Sequence, residues 1–137
     1  MEELHKYLRE VSSVPFQWGV HDCLIFTNTA FQKMHGKGWA DDWAERYLGG
    51  DKQPKKRPSL QKEYGFSTFE EAVDTRLTRI KGIPPRGALV SVTEGVPAFW
   101  YVGVAMGISV GNKAAFVSTV GLTYLPIENI NNAWVPK

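Results

Sequence analysis

Between residues 2 and 12 the apolar positions Leu4, Leu8 and Val11 recur every three or four residues among charged ones. That spacing predicts an amphipathic helix, ending near Ser12-Ser13 and stopped by Pro15. After the loop VPFQWG, apolar residues spread over much more of the surface of the next segment: Leu24, Ile25, Phe26, Ala30, Phe31 and Met34. So broad an apolar surface predicts a central, largely buried helix from Cys23 to about Met34, with Asp22 as its N-cap and Gly36 at its stop. A short helix is predicted over DDWAERYL (41–48), with acids in its first turn and Gly49-Gly50 beyond its end. The capping box Ser67-Thr68-Phe69-Glu70 predicts another, running to about Ile80 and ended by Lys81-Gly82 and Pro84-Pro85. Between them DKQPKKRP (51–58) reads as a solvated basic loop.

After Gly87 the pattern changes to β-branched and aromatic runs separated by turn residues. ALVSV reads as one strand, Glu94-Gly95 as a turn, and PAFWYVGVAMG as a long strand apolar on both faces. Gly111-Asn112 marks the next turn, before KAAFVST, GLTYLP and a last short segment, NAWVPK. Helices first and an antiparallel meander afterwards predict an α+β architecture, with no internal repeat.

Composition narrows the function classes. The 137 residues are 43% hydrophobic and include five Trp, seven Phe and five Tyr, enough apolar material for the core of one domain over 1–137. The formal charge of +2 is too weak an excess to predict a nucleic-acid partner. One cysteine makes no intrachain disulfide, and no run approaches the ~20 apolar residues of a membrane span. The charged start MEELHKYLREV lacks the apolar core of a signal peptide, so synthesis in a cytoplasm is expected. Three scattered histidines and one cysteine form no zinc-ligand spacing, and the chain carries no phosphate-binding glycine loop, so neither metal nor cofactor is expected.

The chemistry concentrates in WGVHDC, residues 18–23. A cysteine at the first position of a helix meets free N–H groups and the positive dipole end, which favour a thiolate. His21, two residues earlier in extended backbone, is placed to share its face, and Asp22 offers a carboxylate beside it. A lone Cys before Leu-Ile-Phe is equally the pattern of a small buried hydrophobe, Asp22 of a simple cap and His21 of a ring bonded to backbone. The residues leave both readings open.

The order of these motifs resembles the NlpC-like cell-wall peptidases, papain-fold cysteine enzymes. In these an Asp-Cys pair opens the core helix, and patterns close to PGDLV and HVGIYLG follow in the sheet. The chain is similar, more closely still, to a compact group of phage and prophage tail-cluster proteins. These carry WGxHDC, a GxxV strand, an LGV-like strand, an AAF segment, a GL segment and a terminal AW. Here they are WGVHDC, Gly87 to Val90, GVAMG at 103–107, Ala114-Ala115-Phe116, Gly121-Leu122 and Ala133-Trp134, spanning about residues 14 to 135.

The resemblance implies a papain-like NlpC-type fold, with the Cys-bearing helix packed on a C-terminal antiparallel sheet. It puts Cys23 at the nucleophile position and Trp18, Gly19 and Asp22 in the loop around it. It puts Tyr101 where the peptidases have their histidine and Ser118 near their third polar residue. Tyrosine, with a reference pKa of about 10, is a poor proton acceptor for a thiol near neutral pH. Two expectations follow. In one, Cys23, His21 and Asp22 form a rearranged catalytic set that cleaves peptides of peptidoglycan, with Trp18, Gly19, Tyr101 and Ser118 lining the substrate site. In the other, the fold persists as a structural tail component that has lost hydrolysis. Both imply a place in the virion tail and other tail proteins as partners.

Overall fold

The computed structural model describes residues 1–43, 46, 62, 65–66, 68–93 and 104–137. The apolar stripe Leu4, Tyr7 and Leu8 buries one side of α1 (Glu2–Glu10), which has Glu2 and Glu3 in its first turn and Arg9 in its last, as the helix dipole favours. Its broad apolar surface makes α2 (Cys23–His35) the central helix, with Phe26 and Ala30 fully buried and Cys23, Leu24 and Phe31 nearly so. Burying a large apolar side chain contributes roughly 1.5–3 kcal/mol. Asp22 caps α2 by accepting from the Ile25 amide, and Gly36, at φ 82°, closes it in the left-handed conformation. Tyr7 stacks on Phe26 with centroids 5.9 Å apart, tying α1 to α2.

Two expected helices are corrected. α3 covers only Phe69–Asp74, and its cap is Thr68, whose side chain accepts from the Glu71 amide. The capping residue is therefore one position later than Ser67. Residues 77–80, expected as the end of that helix, form β1 (Leu77–Ile80) instead. The Thr75 hydroxyl bonds back to the Ala72 carbonyl, the local competition that ends helices, and the β-branched Thr78 and Ile80 pair along a neighbouring strand. Asp41–Trp43, expected to open a helix over 41–48, form turns. The Asp41 carboxylate accepts from the Asn28 and Gln32 side chains and the Gly38 amide, which ties this segment to α2. Apart from Arg46, the rest of 41–48 lies outside the described residues, as do the basic loop 51–58, the Glu94-Gly95 turn and the long strand before Val104.

The remaining strands among the described residues are β2 (Leu89–Val92), β3 (Ala105–Ser109), β4 (Lys113–Ser118), β5 (Gly121–Pro126) and β6 (Asn132–Pro136), with a 3-10 turn at Ile127–Asn129 before the last. They form a six-stranded sheet in the order β1-β6-β2-β3-β4-β5, antiparallel throughout. Alternation along the strands sorts two apolar faces. Leu89, Met106, Ile108, Ala115, Val117 and Trp134 join the helices in the main core, while Val90, Val92, Ala105, Phe116 and Ala133 form a second cluster. α2 packs chiefly on β3, so its first residue, Cys23, lies against the sheet. The described architecture is α+β, helices against an antiparallel sheet, as the sequence pattern predicts.

Candidate functional site

The segment before α2 folds into a tight turn for reasons visible in its backbone. Gln17 and His21 bond reciprocally, Gln17 N–H to His21 O at 3.0 Å and His21 N–H to Gln17 O at 2.8 Å, and Gly19 takes the left-handed φ of 76° that the reversal needs. Asp22, fully buried, closes the structure from below. One carboxylate oxygen accepts from the Gly19 amide at 2.9 Å and the other from the Ile25 amide at 2.9 Å. A single side chain thus holds the turn and the start of α2 in register. The same loop is fastened to the sheet where the Phe16 amide donates to the Ser118 carbonyl at 3.0 Å.

Cys23 stands at the first position of α2 and is 4% exposed. Burial pushes its thiol well above the ordinary value, the Asp22 carboxylate pushes the same way, and backbone hydrogen bonding from Met106, Cys23 and Leu24 opposes them. Of the two readings the sequence leaves open, desolvation acts against the thiolate that a helix start favours and agrees with a small buried hydrophobe. His21 is 6% exposed, and burial lowers its pKa from 6.5 while Asp22 raises it less. Its ring packs edge-on to Phe26, with centroids 5.9 Å apart, and its Nε2 is buried without a hydrogen-bond partner. Among the described residues no hydrogen bond joins the His21 ring to the Cys23 sulfur. Burial thus acts against the charged form of both groups, and no hydrogen bond couples them as base and nucleophile.

The other candidate residues divide. Trp18 is half-buried and meets Phe16 edge-to-face at 4.8 Å, and Gly19 serves the turn. Ser118 lies at the end of β4, where its hydroxyl donates to the Gly121 carbonyl at 2.7 Å and closes the β4–β5 turn. Tyr101 lies outside the described residues. Sequence reading missed Thr27 and Trp39. The fully buried Thr27 hydroxyl donates to the Cys23 carbonyl at 2.8 Å and accepts from the Trp39 indole at 3.0 Å, bracing the helix turn that carries Cys23. A threonine inside an apolar helix was the available signal. Among the described residues no three of His, Cys, Asp and Glu gather where a metal ion could sit.

Exposed apolar side chains edge this loop. Val14 and Val20 project from it, and the Phe16–Ser118 bond brings alongside the turn that carries the 83% exposed Val120.

Comparison with known proteins places the arrangement. The profile of the family described as "Domain of unknown function (DUF6950)" matches residues 1–135. The chain belongs to this family. Among curated proteins the chain finds no match. Among solved structures it is similar to the "Crystal structure of NlpC/p60 domain of peptidoglycan hydrolase SagA", with TM-score 0.53 and 14% identity over 98% of this chain and 93% of that one. At that identity the likeness is one of fold. This DUF6950 chain therefore has the papain-like, NlpC-type fold, with its Cys-bearing helix on an antiparallel sheet.

Proposed function

We propose that this chain is a phage or prophage tail-associated protein in which the NlpC-type fold serves as a binding domain and not as a working hydrolase. One observation carries the choice: Cys23 is a buried thiol, 4% exposed, and no hydrogen bond joins it to the His21 imidazole among the described residues, while burial pushes the thiol up. By the resemblance to the NlpC-like peptidases, Tyr101 stands where those enzymes have their histidine, which agrees with it. The tail assignment rests on the order of the WGVHDC, GxxV, AAF, GL and AW motifs, and the apolar edge of Val14, Val20 and Val120 supplies a surface for a neighbouring tail protein. Such a domain keeps the scaffold of a peptidoglycan hydrolase while using it for attachment.

A second reading has its own support. Cys23 occupies the start of α2, where backbone N–H groups suit an oxyanion, and the orphaned His21 Nε2 is a buried acceptor or donor with no structural employment. In that reading the Cys23 sulfur attacks a stem-peptide carbonyl, His21 takes the thiol proton and passes it to the amine that leaves as the C–N bond breaks, and water then hydrolyses the thioester.

Incubating purified peptidoglycan with the wild type and with Cys23→Ala separates the two. The binding-domain reading expects no released fragment from either protein; fragments from the wild type alone establish the hydrolase. Antibody labelling of intact virions tests the location, and signal at the tail is the expected result.

A further inference from the structure

An open cleft of about 550 Å³ lies between the outer face of α1 and the edge of the sheet, lined by His5, Leu8, Arg9, Ser12, Val110 and Tyr124. It is formed without Cys23 or the 16–22 loop. Its size falls within the ~300–1,000 Å³ of small-ligand sites. Its chemistry is one-sided. Arg86 Nη1 lies 3.0 Å from His5 Nε2. A guanidinium only donates, so His5 Nε2 accepts and the His5 proton is carried on Nδ1, which makes the ring's other edge a donor. Neither Arg9 nor Arg86 has a carboxylate partner among the described residues, and the Tyr124 hydroxyl has no hydrogen-bond partner there. The Ser12 hydroxyl proton is already given to the Arg9 carbonyl. Among the described residues no carboxylate lines the cleft, and its apolar surface comes from Leu8, Val110 and the Tyr124 ring.

We propose that this cleft binds the terminal carboxylate of a peptide, with the apolar side chain of its last residue against Leu8, Val110 and the Tyr124 ring. Arg9 supplies the guanidinium and His5 a ring donor to the oxyanion, while Arg86, outside the lining, orients His5 and adds positive charge behind it, a charge-assisted arrangement of the kind that guanidinium groups make with carboxylates. The apolar floor favours an amino-acid end over a bare phosphate, whose whole surface is polar. Two sources offer this chemistry. A neighbouring protein's C-terminus ends in an L-residue, and a cell-wall stem peptide ends in a D-residue. The inference is independent of the reading of Cys23.

The test is an NMR titration of the full chain with acetyl-Gly-Ala-Ala bearing a free carboxylate, its C-terminal amide, the same peptide ending in D-Ala, and inorganic phosphate. The free acid in at least one stereochemical form is expected to shift amides of α1 and of residues 110 and 124. Amidation should weaken binding tenfold or more. Tighter binding of the L-form points to a protein terminus, and tighter binding of the D-form to wall peptide. Arg9→Gln and Arg86→Gln, each checked for unchanged circular dichroism, are expected to lose tenfold or more. Binding unaffected by amidation or by both Arg substitutions, phosphate bound as tightly as the peptides, or no shift from either acid at millimolar concentration overturns the proposal.

Discussion

The Asp22 carboxylate accepts from the Gly19 amide at 2.9 Å, and this bond fixes the turn that precedes the only cysteine of the chain. Because the other carboxylate oxygen caps α2 at Ile25, the residue that looks most like a catalytic orienter is occupied at both oxygens by backbone. Asp22→Ala is expected to destabilise the fold by about 2–4 kcal/mol, the sum of a lost cap and a lost charge-assisted bond. Asp22→Asn retains a single acceptor oxygen and should fall between. Urea denaturation measures both; unchanged midpoints contradict this assignment.

Thr27 and Trp39 provide a second test of how the helix start is held. Thr27→Val keeps the shape, removes the oxygen that accepts the Trp39 indole at 3.0 Å and leaves a buried donor unpaired. The expected cost is about 1–3 kcal/mol, with a change in tryptophan fluorescence, while Thr27→Ser keeps most of the stability. Equal effects of the two substitutions would show that the methyl, and not the hydroxyl, matters.

The acid side of the stability profile belongs in part to His21. Its folded pKa is lowered from 6.5 by burial, so the unfolded chain takes the proton first as pH falls. Stability is fully present above about pH 6.5 and declines below it, down to the folded pKa. His21→Phe is expected to flatten this decline and to remove the buried, unpartnered Nε2. Denaturation midpoints at pH 5 and pH 7.5 compare the two proteins, and an unaltered difference between those midpoints refutes the linkage.

On the alkaline side Tyr7 governs. Burial pushes its hydroxyl from 10.0 up to about 12, with a hydrogen bond to Thr29 opposing and Glu10 adding. The fold keeps the proton while the unfolded chain loses it, so this contribution is intact below pH 10 and is lost as pH rises toward 12. Tyr7→Phe should remove the loss specific to that interval, read from denaturation at pH 9 and 11.

Much of the molecule is legible in its letters, and the exceptions have physical causes. α2, its Asp22 cap and its Gly36 stop follow from a broad apolar surface bounded by capping residues, and β2, β4, β5 and β6 from apolar runs between turns. Residues 77–80 were misread because Leu77 and Ile80 stand three apart, a helical spacing, while their pairing to β6 is decided by residues more than fifty positions away. The short helix expected at 41–48 has acids in its first turn and glycines beyond its end, but the Asp41 carboxylate is engaged by Asn28 and Gln32 of α2. At the site, local sequence places Cys23 at a helix start correctly and leaves its ionisation open between two readings. Burial comes from β3 packing on α2, which no hexapeptide contains.

The most direct test of the account is the pH dependence of iodoacetamide labelling at Cys23 in the folded protein and in urea, for the wild type and for His21→Ala. A raised, buried thiol predicts labelling that is slow across pH 6 to 9, becomes fast only on unfolding and is indifferent to His21 in the folded state. Rapid labelling of the folded wild type with an apparent pKa well below the ~8.5 of a free thiol, lost in His21→Ala, would contradict it and establish an imidazole-activated nucleophile.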